Sequence, residues 1–362
     1  MALQRRTDPR TLSGRRPAPL LFEGALGGPP IRRRSSATSR QRMAQNPFLP
    51  TSAQDPPWIL DGGLATTLES RGFDLDDPLW SARVLLEDPA AIRAAHRDFL
   101  AAGADIVTTA SYQASVEGFQ ARGLGRDEAV AALRRSVELA LEARDGFWSE
   151  PANRAGRRSP LVAASVGPYG AFLADGSEYT GRYPVGPDGL REFHRARWRI
   201  LADTAADLLA CETIPSGVEV HVLLGLMEET PSKAAWLSLS CDDATHLRDR
   251  TPIAEVARRA DTVPNLVAIG ANCTDAHAIA PILRELRRHS SKPLIAYPNG
   301  GGDYAVETRS WGSPAATRDW LTGASAWVEI GARVVGGCCR IAPARITALR
   351  HRLTSDATGT GG

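Results

Sequence analysis

Two cysteines, Cys338 and Cys339, stand side by side in the segment VVGGCCR, residues 334–340, and a third, Cys273, closes the apolar run NLVAIGANC. Adjacent Cα atoms across a trans peptide lie about 3.8 Å apart, whereas a disulfide spans roughly 4.4–6.8 Å, so the neighbouring pair does not form a bridge without strain. Three thiolates that converge are a soft ligand set suited to zinc, and three protein ligands leave open the fourth place that a catalytic zinc keeps for substrate. Successive side chains of a regular strand point to opposite faces. Both members of the pair can therefore serve one site only where the strand has ended, and Gly336 and Gly337 are expected to give the backbone freedom for that turn. The competing reading is that free cysteines fill a core, and it is kept for Cys211 and Cys241, which sit inside apolar runs. Five cysteines in 362 residues are not a disulfide framework, which implies reduced thiols and a cytoplasmic setting. The seven histidines show no metal-ligand spacing and are expected to be solvated or locally bonded.

Such a site needs strands that deliver Cys273 and the pair to one rim. From residue 58 onward, short apolar runs that end in small or polar residues alternate with amphipathic stretches. The expected strands cover 58–63, 105–112, 161–168, 207–213, 235–241, 265–273, 293–301 and 333–340. Continuous apolar runs of this length suit strands buried on both faces of a parallel sheet. The segment DPAAIRAAHRDFLAAG reads as a helix with Asp88 as N-cap, Pro89 in the first turn and Gly103 as C-cap. Eight strands alternating with helices predict an α/β fold, a (β/α)8 TIM barrel. A doubly wound sheet is the alternative, weakened because no Gly-x-Gly-x-x-Gly turn follows the first strand. Barrels carry their chemistry at the carboxyl ends of the strands. Those ends hold Asp61, Thr109, Ser111, Tyr112, Glu212, Cys273, Tyr297, Asn299, Cys338 and Cys339.

Composition bounds the rest. The chain is 43% hydrophobic and 23% charged, that of a globular protein. No apolar run reaches the roughly 18 residues a membrane span needs, so no membrane partner is expected. Residues 1–54 carry ten arginines against Asp8 and Glu23, while the whole chain nets only +2. Rich in Pro, Gly and Ser as well, this basic extension is expected to be disordered. Transit-peptide and nucleic-acid-binding readings of it are set below a nonfunctional tail or an over-extended start, with Met43 as a candidate initiation site, so no nucleic-acid partner is expected. The barrel is expected over 55–352 as a single domain, and 353–362 as a flexible tail.

The motifs LDGGLATTLESRG, DPLWSARVLLEDP, TTASYQAS, SVGPYGAFLADGSEYTGRY, LLACETIPS, GANCT, YPNGG and GGCCR, spread from Trp58 to Leu349, resemble the homocysteine S-methyltransferases. The likeness is to the class that uses S-methylmethionine or S-adenosylmethionine as donor. The resemblance implies a barrel, one zinc ion on Cys273, Cys338 and Cys339, and a homocysteine whose amino-acid part is held by Glu212, Gly62 and Thr109. Asp61 beside Glu212 is the second candidate partner for the substrate ammonium. The alternatives for these acids are a turn residue before Gly62–Gly63 and a partly buried salt bridge, respectively. Tyr297 and Asn299 are expected to support the metal or the substrate. The long segment after the third strand reads as a lid whose Tyr169, Tyr179 and Tyr183 would cover a sulfonium cation, with Trp80 a further candidate. Other acceptors, selenocysteine among them, and a noncatalytic zinc-site binding protein remain as alternatives.

Overall fold

The computed structural model describes residues 46–52, 55–75, 81–301, 304–305, 310–311 and 318–358; Trp80 and most of the basic extension lie outside them. Eight parallel strands form one sheet: β1 (Trp58–Ile59), β2 (Ile106–Thr108), β3 (Leu161–Val166), β4 (Leu208–Ile214), β5 (Ala235–Leu239), β6 (Leu266–Asn272), β7 (Leu294–Tyr297) and β8 (Ala332–Val335). Their spatial order is β1-β8-β7-β6-β5-β4-β3-β2. A parallel bridge between Leu60 and Ile106 closes β1 onto β2, with Asp61 N–H donating to the Ile106 carbonyl at 3.0 Å. This is the expected (β/α)8 barrel. The strands are shorter than the apolar runs that announce them, because the last residues of each run leave the ladder to build the rim.

Period-two alternation sorts the strand residues into two layers. Leu60, Ile106, Ala163, Ala210, Trp236 and Ile295 share the barrel interior. Their neighbours, such as Ile59, Val107, Leu209 and Leu237, pack outward under the helices. The helix at Pro89–Ala102 has the expected ends: Asp88 accepts from Ala91 N–H at 3.1 Å, and Gly103 takes a left-handed φ of 110°.

Two domain boundaries differ from the expectation. Residues 46–52 fall within the span expected to be disordered, yet Phe48 is buried at the amino-terminal end of the barrel. Its ring lies 5.8 Å from Trp58, edge-on, and 6.4 Å from Trp236. Asn46 Nδ2 donates to the Val267 carbonyl at 2.8 Å. An aromatic stopper closes the barrel floor, and its burial offsets the ordering of the short segment that carries it. At the other end, the last helix runs from Pro343 to Thr358, past the expected boundary at 352.

Candidate active site at the carboxyl rim of the barrel

The inward positions become polar toward the carboxyl ends. Ser165, Glu212, Ser238, Asn272 and Tyr297 all are buried, and above them the β6 and β8 loops bring the three cysteines together. Their Sγ atoms lie within 4.8 Å of one another, with Cys273 and Cys339 3.9 Å apart. Cys273 is buried, whereas Cys338 and Cys339 are partly open. All five cysteines of the chain are free thiols, with Cys211 and Cys241 in the packing positions expected of them.

The turn that aligns the thiols is not the one the glycines implied. Neither Gly336 nor Gly337 has a positive φ; Cys273 (φ 46°) and Arg340 (φ 66°) do. Gly337 is needed for space, because a Cβ there would stand 2.3 Å from the Ile341 side chain. The left-handed residues end the β6 segment and the cysteine pair, redirecting side chains that a continuing strand would splay apart. Three loops then interlock through their backbones. Cys338 N–H donates to Pro298 O (2.8 Å), Gly300 N–H to Cys339 O (2.8 Å), Cys273 N–H to Tyr297 O (3.3 Å) and Asn299 N–H to Thr274 O (3.2 Å).

Asn299 thus braces the two cysteine segments, and its Oδ1 accepts from Gly301 N–H at 3.2 Å. Asn272, which sequence reasoning missed, reaches further. Its Nδ2 lies 2.8 Å from Thr213 Oγ1 and 3.8 Å from Cys338 Sγ, and its Oδ1 accepts from Thr213 N–H. An asparagine inside an otherwise apolar strand was the available signal, since a buried amide must have partners.

The thiols pass a fit test for a metal. Four sulfurs around a tetrahedral zinc with bonds of about 2.3 Å stand about 3.8 Å from each other, close to the Cys273–Cys339 separation. Without a cation, hydrogen bonding to Cys273 and then burial hold Cys338 well above the ordinary thiol range; a bound cation would reverse that and deprotonate the set. Among the described residues, no fourth Cys, His, Asp or Glu joins the group.

Two carboxyls share the mouth. Burial pushes Glu212 up to about 7, against hydrogen bonds from Ser165 and Tyr297 that favour its charged form. Burial likewise raises Asp61 well above the carboxylate range, with the Glu212 charge adding to it, while Thr108 N–H donates to Asp61 Oδ2 at 2.7 Å and opposes the shift. Two buried acids, with the Glu212 charge hindering ionisation of Asp61, make a candidate receptor for a cation. Thr109 lies on the same rim, but its hydroxyl is engaged with Ser111 Oγ at 2.6 Å and accepts from Ser165 N–H at 3.0 Å. Gly62 is packed so closely that a Cβ would stand 2.1 Å from the Ile341 carbonyl oxygen. The structure therefore places Asp61, Gly62, Thr109, Glu212, Cys273, Asn299, Cys338 and Cys339 at the carboxyl end of the barrel, with Asn299, Thr109 and Gly62 bonded or packed within the framework, while Trp80 lies outside the described residues.

The lid tyrosines differ from expectation. Tyr183 donates its hydroxyl to Glu219 Oε2 at 2.8 Å, and Tyr169 N–H donates to Glu219 Oε1 at 2.6 Å. Their rings pack with each other, and that of Tyr169 also with Phe193, so both are held against the protein's own groups. The buried Glu219 also meets His194 Nε2 at 2.7 Å. His194 and His96 are fully buried rather than solvated, and neither ring nitrogen of His96 has a hydrogen-bond partner among the described residues.

A parallel barrel with a thiol triad and paired acids at its carboxyl rim defines a barrel with a candidate thiolate-metal centre beside a cation receptor. The chain belongs to the homocysteine S-methyltransferase family, whose model matches residues 58–353. It is 47% identical over 291 residues to homocysteine S-methyltransferase YbgG of Bacillus subtilis, covering 80% of this chain and 92% of that protein. It is 41% identical over 307 residues to selenocysteine Se-methyltransferase of Brassica oleracea, covering 82% and 89%. The metallated form of the homocysteine methyltransferase MmuM from Escherichia coli matches the structure with a TM-score of 0.74 at 42% identity, covering 82% of this chain and 96% of that one.

Proposed function

We propose that this chain moves a methyl group from a sulfonium donor, S-methylmethionine or S-adenosylmethionine, to the sulfur of homocysteine, producing methionine, with one zinc ion on Cys273, Cys338 and Cys339. The observation that carries this reading is the triad itself: three Sγ atoms within 4.8 Å and no fourth protein ligand among the described residues. A closed structural site would want four, which disfavours the noncatalytic alternative. Zinc bound there would supply the positive charge that keeps an acceptor thiol, ordinarily protonated at neutral pH with a pKa of about 8.5, in its thiolate form.

The protein's own groups orient the acceptor. Glu212 and Asp61 receive its ammonium, and the braced loops around Asn272 and Asn299 hold the cysteines still. The thiolate forms a new S–CH3 bond as the donor's C–S bond breaks, and the electron pair leaves with the donor sulfur as a neutral thioether. No general acid is required, so the barrier is lowered by thiolate formation and alignment. Free thiols fit a reducing cytoplasm, and no described helix is long and apolar enough to cross a membrane. Selenocysteine as acceptor is the second reading, favoured by the relative from Brassica oleracea.

The test is methionine formation by the full chain, with both donors competing for homocysteine and selenocysteine offered separately. Methionine from either donor is expected, and faster turnover of selenocysteine would favour the second reading. Bound zinc with no methyl transfer to any thiol would overturn the proposal.

A further inference from the structure

A buried charge chain stands apart from the thiol triad and the paired acids. Arg197 and His194, on the helix Pro187–Ala202, and Glu219, on the helix Gly217–Glu229, are fully buried. Arg197 Nη2 lies 3.1 Å from His194 Nδ1, and His194 Nε2 lies 2.7 Å from Glu219 Oε1. A guanidinium can only donate, so Nδ1 accepts, and Nε2 carries the proton directed at Glu219. The imidazole is therefore neutral, in keeping with burial and then the Arg197 charge lowering its pKa. Arg197 itself, pulled down by burial only to about 10, stays charged at neutral pH. Two opposite charges are thus joined through one oriented ring.

Both ends of the chain grip the same loop. Arg197 Nη2 donates to the Gly167 carbonyl just past β3, and its Nη1 lies 3.5 Å from the Tyr112 carbonyl. Two residues after Gly167, Tyr169 N–H donates to Glu219 Oε1 at 2.6 Å, and Glu219 Oε2 takes the Tyr183 hydroxyl at 2.8 Å. The segment 167–183 is therefore held at its entry by a carbonyl and an amide, and at its exit by a phenol. Between these anchors it reaches the mouth. Gly181, at φ 67°, lies so near the end of β4 that a Cβ there would stand 2.7 Å from the carbonyl oxygen of Pro215, three residues past Glu212. Burial, and then the charges of Glu178 in this segment and Cys273 in the triad, raise the Tyr112 hydroxyl, so Tyr112 stands within electrostatic reach of both. A buried ionic chain adds little net stability, whereas its oriented, charge-assisted bonds fix geometry. We propose that Arg197, His194 and Glu219 are positioning residues for methyl transfer: their relay locks the segment 167–183 over the mouth and so sets the alignment of donor against acceptor sulfur. Zinc and homocysteine are assigned to the strand ends and the cysteine loops, so loss of the relay spares their binding. The catalytic part of this role rests on the methyl-transfer reading.

The experiment compares the full-length, zinc-loaded protein with His194→Leu, His194→Gln and Tyr183→Phe. It measures zinc content, calorimetric affinity for homocysteine, kcat and KM with S-methylmethionine, and amide hydrogen exchange along the chain. In His194→Leu, exchange within 167–183 is expected to quicken by about tenfold or more. Its kcat is expected to fall by about ten- to hundredfold, the cost of a small misplacement of reacting groups, with zinc content and homocysteine affinity unchanged. A glutamine amide offers one acceptor and one donor, so His194→Gln should recover both the slow exchange and most of the rate. Tyr183→Phe cuts only the exit anchor and should fall between; it carries the test where leucine prevents folding. Faster exchange in 167–183 with an unchanged kcat would overturn the proposal, as would unchanged exchange in a folded His194→Leu protein. Zinc or homocysteine binding lost in step with the rate, or exchange raised throughout the chain, would overturn it in favour of a general structural role. No methyl transfer by the unmodified protein would instead overturn the methyl-transfer reading, while exchange across 167–183 still decides whether the relay holds the segment.

Discussion

In a Cys338→Ala protein, homocysteine methylation is expected to fall by a thousandfold or more, on the order of the combined losses set out next. A thiol with a pKa of about 8.5 is ionised to only about one part in thirty at pH 7, so losing the cation removes roughly thirtyfold through ionisation. Loss of the fixed sulfur position removes the remainder, since alignment of the two reacting atoms is the other source of rate. Metal content should fall together with activity, because two thiols cannot replace three. Cys338 is partly open and outside the strand ladder, so folding should survive, and an unchanged circular dichroism spectrum is the control. A variant that keeps its metal and its rate would remove Cys338 from the centre.

Glu212→Gln is expected to lower kcat/KM for homocysteine by about ten- to hundredfold, the worth of a hydrogen bond to a charged group, roughly 1.5–3 kcal/mol. The pH profile carries the sign. Burial raises Glu212 to about 7 in the free protein, so below that pH it is largely neutral and a poor partner for an ammonium. The kcat/KM of the unmodified protein should therefore rise through about pH 7 and level off above it, and that limb should vanish in Glu212→Gln. By linkage, the same raised value costs the free protein stability as pH climbs from about 4.5, the unfolded value, to about 7. Bound ammonium would offset that loss. An identical pH limb in both proteins would assign it to another group.

The barrel was legible because buried parallel strands write themselves as unbroken apolar runs, and the helices between them carry local caps such as Asp88 and Gly103. The thiol triad was legible because adjacent cysteines after a strand have few other uses. The features that escaped depend on neighbours remote in sequence. Asn272 owes its contacts to Thr213 on β4, one strand removed from its own, and to Cys338 beyond β8, partners that only the closed barrel brings together. The stopper role of Phe48 depends on a hole that exists only once eight strands have closed around it. Gly337 faces Ile341 in a turn whose handedness is carried by Arg340. Tyr169 and Tyr183 were read from their loop, but Glu219, on a helix after the next strand, decides where they point.

The central claim is that Cys273, Cys338 and Cys339 leave one metal position for the substrate sulfur. X-ray absorption at the zinc edge, with and without homocysteine, counts the sulfur neighbours directly. The account predicts three sulfurs in the free protein and four after homocysteine is added. Four sulfurs before any substrate, or three unchanged after saturation, would contradict it.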